Sequence, residues 1–249
     1  MKKQEKIRLS PLFQRLFILA IFLYPFSAFT ETPLSLKQNI FRARTGDYAV
    51  FSKGVQKFFL FVKSVSSNIV WIEMTEFPHL SQQDRTLVQN TPWKNLINNL
   101  HSPRRVFLIS LSKKDTHIFC LNPKTQQLRR LQSEDLPIFS TLLQLSLNEA
   151  PDHLIKRQGK NRDPWSPRIT IEGNHSLKMP AQAWCASWPK DSSVLSGKNV
   201  LMYFTACEIS VFPLWTSIET PKGTVVLRTI DVGHEAISPY SYTLPEIKE

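Results

Sequence analysis

The chain lacks the residue patterns that mark the common catalytic and metal sites. It has three cysteines, no pair of cysteines separated by two residues, and no two histidines spaced as in a zinc-binding helix. It also has neither the glycine-flanked serine of the α/β-hydrolases nor a glycine-rich phosphate loop. We therefore expect a non-enzymatic protein without a cofactor, and an exported hydrolase without a recognisable motif is the remote alternative.

Glycine is scarce, with 7 residues against 17 prolines, and the apolar residues favour strands. The apolar runs are rich in Phe, Val, Ile and Trp, which suit a pleated sheet. Runs at 47–52, 56–65 and 68–77 are divided by turn residues and predict an antiparallel meander. The run Phe58–Val62 does not alternate, so we expect its strand to be covered on both faces.

Two segments have helical patterns. The first begins after Thr91, and its apolar residues recur at helical spacing from Trp93 to Leu100; the second, Leu136–Leu147, is apolar on most of its circumference. Strands are predicted at 105–111, 116–121, 128–131, 168–172, 181–188, 199–205, 211–220 and 224–232. We predict an α+β fold: a curved, largely antiparallel, half-barrel-like sheet with the two helical segments packed on its concave face.

Residues 1–30 have the layout of a secretory signal peptide. Five basic side chains precede the apolar stretch Leu16–Phe26, and small residues follow it. Ala28 and Thr30 suit the third-last and last positions before a cleavage site, which predicts cleavage after Thr30. The alternative is an uncleaved anchor in the inner membrane. Both interpretations place the rest of the chain in the periplasm or outer envelope of a Gram-negative-type bacterium.

Residues 31–249 are expected to form a single exported domain. The one possible internal boundary is the polar segment 152–168, which is typical of an exposed basic loop. The formal net charge is +11, and about +7 remains after residues 1–30 are set aside. Outside the cytoplasm such a surface suits an anionic membrane or an acidic partner and not nucleic acid. An ordinary solvated surface would carry the same residues.

A disulfide between Cys185 and Cys207 is predicted from their spacing. A hairpin centred near position 196 would place the two residues opposite each other, within disulfide range. Export would supply the oxidising compartment. Three buried free thiols are the alternative, and Cys120, flanked by Phe119 and Leu121, is expected in the core.

Two short clusters of ionisable residues were considered as reactive sites. Glu172 lies near His175, and Asp231 lies near His234 and Glu235. Such clusters are common at loop ends, and neither contains a complete metal-binding or nucleophile motif. We assign no catalytic, cofactor-binding or metal-binding residue.

Aromatic side chains are the remaining candidates for a binding site. Aromatic residues that line a concave sheet can form a greasy ligand pocket. The candidate lining residues are Trp93, Phe139, Trp184 and Trp215. The same residues could equally belong to an ordinary core.

The order of parts resembles the periplasmic lipoprotein-carrier superfamily, the LolA/LolB-like half-barrels. The resemblance rests on the predicted signal peptide, the first strand at Gly46-Asp47-Tyr48, the apolar meander and the helical insertion. It implies a lipid or lipoprotein ligand. The closing stretches Val211–Glu219 and Leu227–Gly233 also resemble exported proteins of unknown function from chlamydia-type bacteria.

The sequence thus leads to an exported envelope protein that binds a ligand or partner. The expected ligand is apolar or amphipathic, such as a lipid or lipoprotein, or else a protein partner, held in the concavity of the sheet. The alternative is a structural or interaction protein of the envelope with a filled core. The sequence leaves the oligomeric state open.

Overall fold

β-Strands are the main secondary structure of the described residues. The computed structural model describes residues 35–112, 115–122, 124–132, 138–173, 175–205 and 209–247, which belong to one compact unit, Pro33–Glu249. The strands are β1 Tyr48–Lys53, β2 Gln56–Val65, β3 Ile69–Phe77, β4 Arg105–Ser112, β5 Thr116–Leu121, β6 Leu128–Arg130, β7 Asn148–Glu149, β8 Arg157–Gln158, β9 Asp163–Pro164, β10 Arg168–Ile171, β11 His175–Lys178, β12 Ala181–Ser187, β13 Asn199–Thr205, β14 Trp215–Thr220 and β15 Gly223–Gly233. The predicted signal peptide and the cleavage position after Thr30 lie outside the described residues.

The helices in the described ranges are few and short. They are α1 Leu36–Ile40, α2 Gln82–Asn90, α3 Trp93–Leu96 and α4 Ile138–Leu142, with a 3-10 turn at Asp152–Leu154. None of the helices in the described ranges is long and apolar enough to cross a bilayer.

Two antiparallel meanders join into one sheet through the pairing of β1 with β15. The strand order is β6-β5-β4-β3-β2-β1-β15-β14-β13-β12-β7, and β10 attaches to β15 with β11 beside it. Every pairing along this path is antiparallel, whereas β10 runs parallel to β15. The path ends at β6 and β7, so the sheet is not closed. The prediction of a largely antiparallel sheet with few helices is confirmed.

The central strands bury both of their faces. On β2, Phe58, Leu60 and Val62 belong to the largest hydrophobic cluster, here called the main cluster. Phe59 and Phe61 belong to a second cluster. Successive side chains of a strand point to opposite faces, so the two clusters lie on opposite sides of the sheet. The prediction that this strand is covered on both faces is confirmed.

The helical segments pack on opposite faces of the sheet. Trp93 and Leu96 of α3 lie in the second cluster, whereas Phe139 and Leu142 of α4 lie in the main cluster. The prediction that both segments share the concave face is therefore not confirmed. The second segment is also shorter than predicted, because an apolar run buried on all sides does not distinguish a helix from an extended chain.

The C-terminal tail is irregular, and its side chains hold it to the outer face of the sheet, the face opposite the main cluster. Tyr240 is buried against Val106 on β4. The hydroxyl groups of Ser238 and Tyr242 donate to Oε2 of the buried Glu73, at 2.6 Å for Ser238. Burial raises the pKa of Glu73 above its ordinary value. The tail therefore covers a carboxyl group that would otherwise face water.

Candidate functional site

A buried pair, Tyr48 and Asp231, stands at the junction of β1, β10 and β15. The Tyr48 hydroxyl donates to Oδ2 of Asp231 at 3.2 Å, and the Gly173 amide donates to Oδ1 at 3.1 Å. Both side chains are almost fully buried. Burial raises the pKa of Asp231 to about 6, although these hydrogen bonds favour the charged form.

A second set of polar contacts surrounds this pair. Lys94 Nζ lies 3.0 Å from Oε1 of Glu172, which also accepts from the His234 amide at 3.3 Å. The Lys94 ammonium lowers the pKa of Glu172. His234 Nδ1 lies 2.6 Å from Oδ1 of Asp47. The parallel pairing of β10 with β15 brings Glu172 close to His234 and Asp231, which are distant from it in sequence.

The junction has the elements of an acid–base site but lacks access and a nucleophile. Asp231 is 2% exposed and is covered by Tyr48, so a substrate cannot approach its carboxyl group. The His234–Asp47 pair resembles the orienting half of a catalytic triad. No serine or cysteine hydrogen-bonds His234 within the described ranges, and these ranges contain no metal-binding group of three or more His, Cys, Asp or Glu. The arrangement therefore locks strands together.

The four candidate pocket residues are buried but do not converge. Phe139 and Trp184 lie in the main cluster and Trp93 in the second. Trp215 lies in a third cluster, with Ala150, Ala183 and Tyr203. Phe139 packs in tilted and edge-to-face contacts against the rings of Phe51 and Phe58, with centroids 5.0 and 5.4 Å apart. These residues do not line one common concavity.

The register that predicted the disulfide is wrong. Cys185 pairs with Leu201, so the β12–β13 hairpin is centred at position 193 and not at 196. The ladder continues to Trp188 and Lys198, where the Trp188 amide donates to the Lys198 carbonyl at 2.7 Å, and this pair is also centred at position 193. The Cys185 thiol is free, and Cys207 lies outside the described residues. Cys120, also a free thiol, is partly buried against the main cluster.

Three aromatic rings contact the base of the basic segment 152–168. Trp165, Tyr203 and Trp215 pack edge to face, with ring centroids 5.2–5.6 Å apart. The Lys156 ammonium lies 3.6 Å from the Trp215 centroid and 5.1 Å from the Trp165 centroid. The Lys156 amide also donates to the Tyr203 hydroxyl at 2.7 Å. The base of the segment is thus fixed by cation–π contacts and a hydrogen bond.

Beyond this base, β8 and β9 form a small exposed hairpin, here called the basic hairpin. Lys160 and Arg162 stand at its tip, and neither forms an ion pair with any described residue. Arg157 pairs with the exposed Asp152 at 3.2 Å. The segment 152–168 contains five Lys and Arg residues against two Asp, and all of them are exposed. It can therefore present several cations to one anionic surface.

Comparison with known proteins identifies the family. The family model described as CT021 protein matches residues 58–176. The 2.0 Å resolution structure of the hypothetical protein CT021 from Chlamydia trachomatis is similar, with a TM-score of 0.68 and 42% sequence identity. The match covers 86% of this chain and 98% of that chain. No curated protein matches. The resemblance to chlamydia-type proteins of unknown function agrees with these findings, and the chain belongs to the CT021 family.

Proposed function

We propose that this chain is a non-enzymatic, exported envelope protein that docks on an anionic lipid surface through the basic hairpin. The supporting observation is the excess of exposed cations in segment 152–168. Lys156 at the base of this segment is fixed on aromatic rings. A lysine or arginine held near an anionic bilayer gains about 1 kcal/mol. Several such residues on one hairpin are enough for reversible attachment.

The rigid base strengthens the attachment. Trp165 and Trp215 hold the Lys156 stem, and the Trp165 amide donates to the Lys156 carbonyl at 2.9 Å. Because the hairpin is already ordered, little conformational entropy is lost when it meets the membrane. The docking surface is therefore preorganised.

Export is part of the proposal. The basic start and apolar centre of residues 1–30 would direct the chain across the inner membrane, with cleavage after Thr30. N-terminal mass determination of protein recovered from the envelope tests this step. A chain that begins at Glu31 supports it, and a full-length chain confined to the cytosol contradicts it.

The resemblance to lipoprotein carriers would add a lipid or lipoprotein ligand in the concavity of a half-barrel. A second candidate is an interaction protein with a filled core. The distribution of Trp93, Phe139, Trp184 and Trp215 among three separate clusters favours this second candidate over a ligand pocket. Surface docking requires no pocket, so it is compatible with a filled core.

Co-flotation with lipid vesicles tests the docking proposal. The wild-type chain and the double variant Lys160→Glu/Arg162→Glu are mixed with phosphatidylglycerol-containing or pure phosphatidylcholine vesicles. The matched control is Lys124→Glu/Arg129→Glu, which makes the same charge change on exposed residues near β6, at the far end of the sheet. The N-terminal residues are identical in all variants, so their contribution cancels.

We expect the wild type and the control to float with anionic vesicles at low salt and the hairpin variant to remain in solution. Binding to phosphatidylcholine should be weak for all three proteins. Equal losses in the hairpin and control variants would assign binding to net charge alone and would contradict the proposal, and so would an unchanged hairpin variant.

A further inference from the structure

A row of side chains crosses four strands on the outer face of the sheet. Lys57 on β2 stands opposite Ser52 on β1, Ser52 opposite Arg228 on β15, and Arg228 opposite Trp215 on β14. Directly opposite residues of antiparallel neighbours share a face. Phe51, next to Ser52, points into the main cluster, so the row lies on the other side. Lys57 and Arg228 therefore flank the Ser52 side chain.

The hairpin turn holds the Lys57 ammonium in place. Its Nζ donates to the Ser52 hydroxyl at 2.8 Å and to the Gly54 carbonyl at 3.0 Å. An ammonium group has three N–H donors, so one remains for another acceptor. Burial lowers the pKa of Lys57, and the charges of Arg228 and Arg85 lower it further.

Arg85, in the first turn of α2, is the third cation, and its charge acts on Lys57 strongly enough to lower the pKa of that ammonium. Its Nε donates to the Leu80 carbonyl at 3.0 Å, which fixes the side chain and leaves the other guanidinium donors free. The exposed Arg228 guanidinium has no hydrogen-bond partner among the described residues. Within the same ranges, none of these three cations forms an ion pair with a carboxylate.

Like charges near one another repel, and an anion bound among them would remove that repulsion. If these cations only stabilised the fold, a carboxylate paired with them would serve better, as in the ion pair of Arg105 with Glu76 at 2.9 Å. The donors combine one fixed ammonium with two guanidinium forks, a set that matches the several oxygens of a phosphate group.

We infer that Lys57, Arg85 and Arg228 form a binding site for a phosphate monoester. The phosphate oxygens would accept from the free Lys57 N–H and from the two guanidinium groups. The ester could belong to a lipid headgroup or to a soluble molecule, since the chemistry is the same. This inference does not depend on the basic hairpin, which contributes no residue to the site.

Isothermal titration with inorganic pyrophosphate tests the site directly. The proteins are the wild type, the single variants Lys57→Gln and Arg228→Gln, and the charge-matched control Lys124→Gln, an exposed lysine near β6 that belongs to neither basic site. Lys57→Arg serves as a conservative variant that keeps the charge. A parallel arm uses vesicles containing phosphatidic acid, which presents a phosphate monoester, and vesicles containing phosphatidylglycerol, which presents a diester.

We expect saturable binding by the wild type, a loss of roughly tenfold in each Gln variant, and no change in the control. Lys57→Arg should retain part of the affinity. Because neutralising one cation removes repulsion, the thermal stability of ligand-free Arg228→Gln should not fall. A preference for phosphatidic acid over phosphatidylglycerol would assign the ester to lipid, and binding of pyrophosphate without that preference would assign it to a soluble molecule.

Absence of saturable binding by the wild type, or equal weakening in the control and the two Gln variants, would overturn the inference. The hairpin variant Lys160→Glu/Arg162→Glu separates this site from membrane docking. If this variant no longer floats with vesicles but keeps its affinity for pyrophosphate, the phosphate site is separate. If the variant loses both, the inference is refuted.

Discussion

The hydroxyl group of Tyr48 donates a hydrogen bond to the carboxylate of Asp231, across 183 positions of the chain. The contact joins the first strand of one meander to the last strand of the other. Gly173, next to the parallel strand β10, binds the second oxygen of the same carboxylate. One buried acid thus connects three segments that are remote in sequence.

The replacement Asp231→Asn tests how this buried carboxyl group makes the free energy of unfolding depend on pH. The raised pKa, about 6, means that the folded state holds a proton that the unfolded state has released. Stability should therefore fall as the pH rises from about 4 to about 6, by up to about 3 kcal/mol, and should stay level above that. Urea unfolding across this range should show the fall in the wild type and a much flatter profile in Asp231→Asn. An equally steep profile in the variant would contradict this assignment.

The C-terminal tail depends on Glu73. The variant Tyr242→Phe removes a hydroxyl donor to Oε2 and should cost about 1–3 kcal/mol. In a Glu73→Gln background the same replacement should cost less, because the charged acceptor is already gone. A double-mutant cycle measured by denaturant unfolding gives the coupling, which we expect at about 0.5–3 kcal/mol. Additive effects would show that Tyr242 acts only through packing.

The doubly covered strand β2 should be sensitive to truncation. Phe59 is fully buried in the second cluster and stacks on Tyr48 with centroids 5.4 Å apart. Phe59→Ala should lower the free energy of unfolding by about 3–5 kcal/mol. The control Val55→Ala, at a side chain that is 68% exposed in the neighbouring turn, should change it by less than about 0.5 kcal/mol. Similar losses in the two variants would contradict the packing described for β2.

Cys185 should remain a free thiol in the folded protein. The β12–β13 register sets Leu201 opposite it, so this strand pair offers no facing cysteine. Alkylation without prior reduction, followed by peptide mass analysis, should find the label on Cys185. Recovery of a Cys185–Cys207 bridged peptide would restore the disulfide that the sequence predicted.

The sequence predicts local structure better than it predicts contacts between distant segments. Strand-favouring residues between two turns predict a strand at Gln56–Val65, and β2 has the same limits. The prediction for Cys185 failed because the turn is centred at position 193 and not at 196, which moves the facing residue by six positions. An even shift keeps every side chain on the same face, so the apolar pattern does not reveal it. The contact of β10 with β15 has no local signal, so the sequence could not show that Glu172 and Asp231 belong to one junction.

Of the two basic sites, neither was recognisable as a unit in the sequence. The cations of the basic hairpin were visible as a polar segment, but the aromatic base came from Tyr203 and Trp215 on other strands. Lys57 and Arg228 are far apart along the chain and come to flank Ser52 only through strand register, and Arg85 joins them from helix α2. Such a site requires the complete pairing of the sheet before it can be seen.

Hydrogen–deuterium exchange with and without phosphatidylglycerol vesicles is a direct test of docking through the basic hairpin. We expect vesicles to slow the exchange of backbone amides within residues 152–168 and to leave β5 and β6 unchanged. Unchanged exchange in 152–168 on a vesicle-bound chain, with protection at another surface, would contradict it.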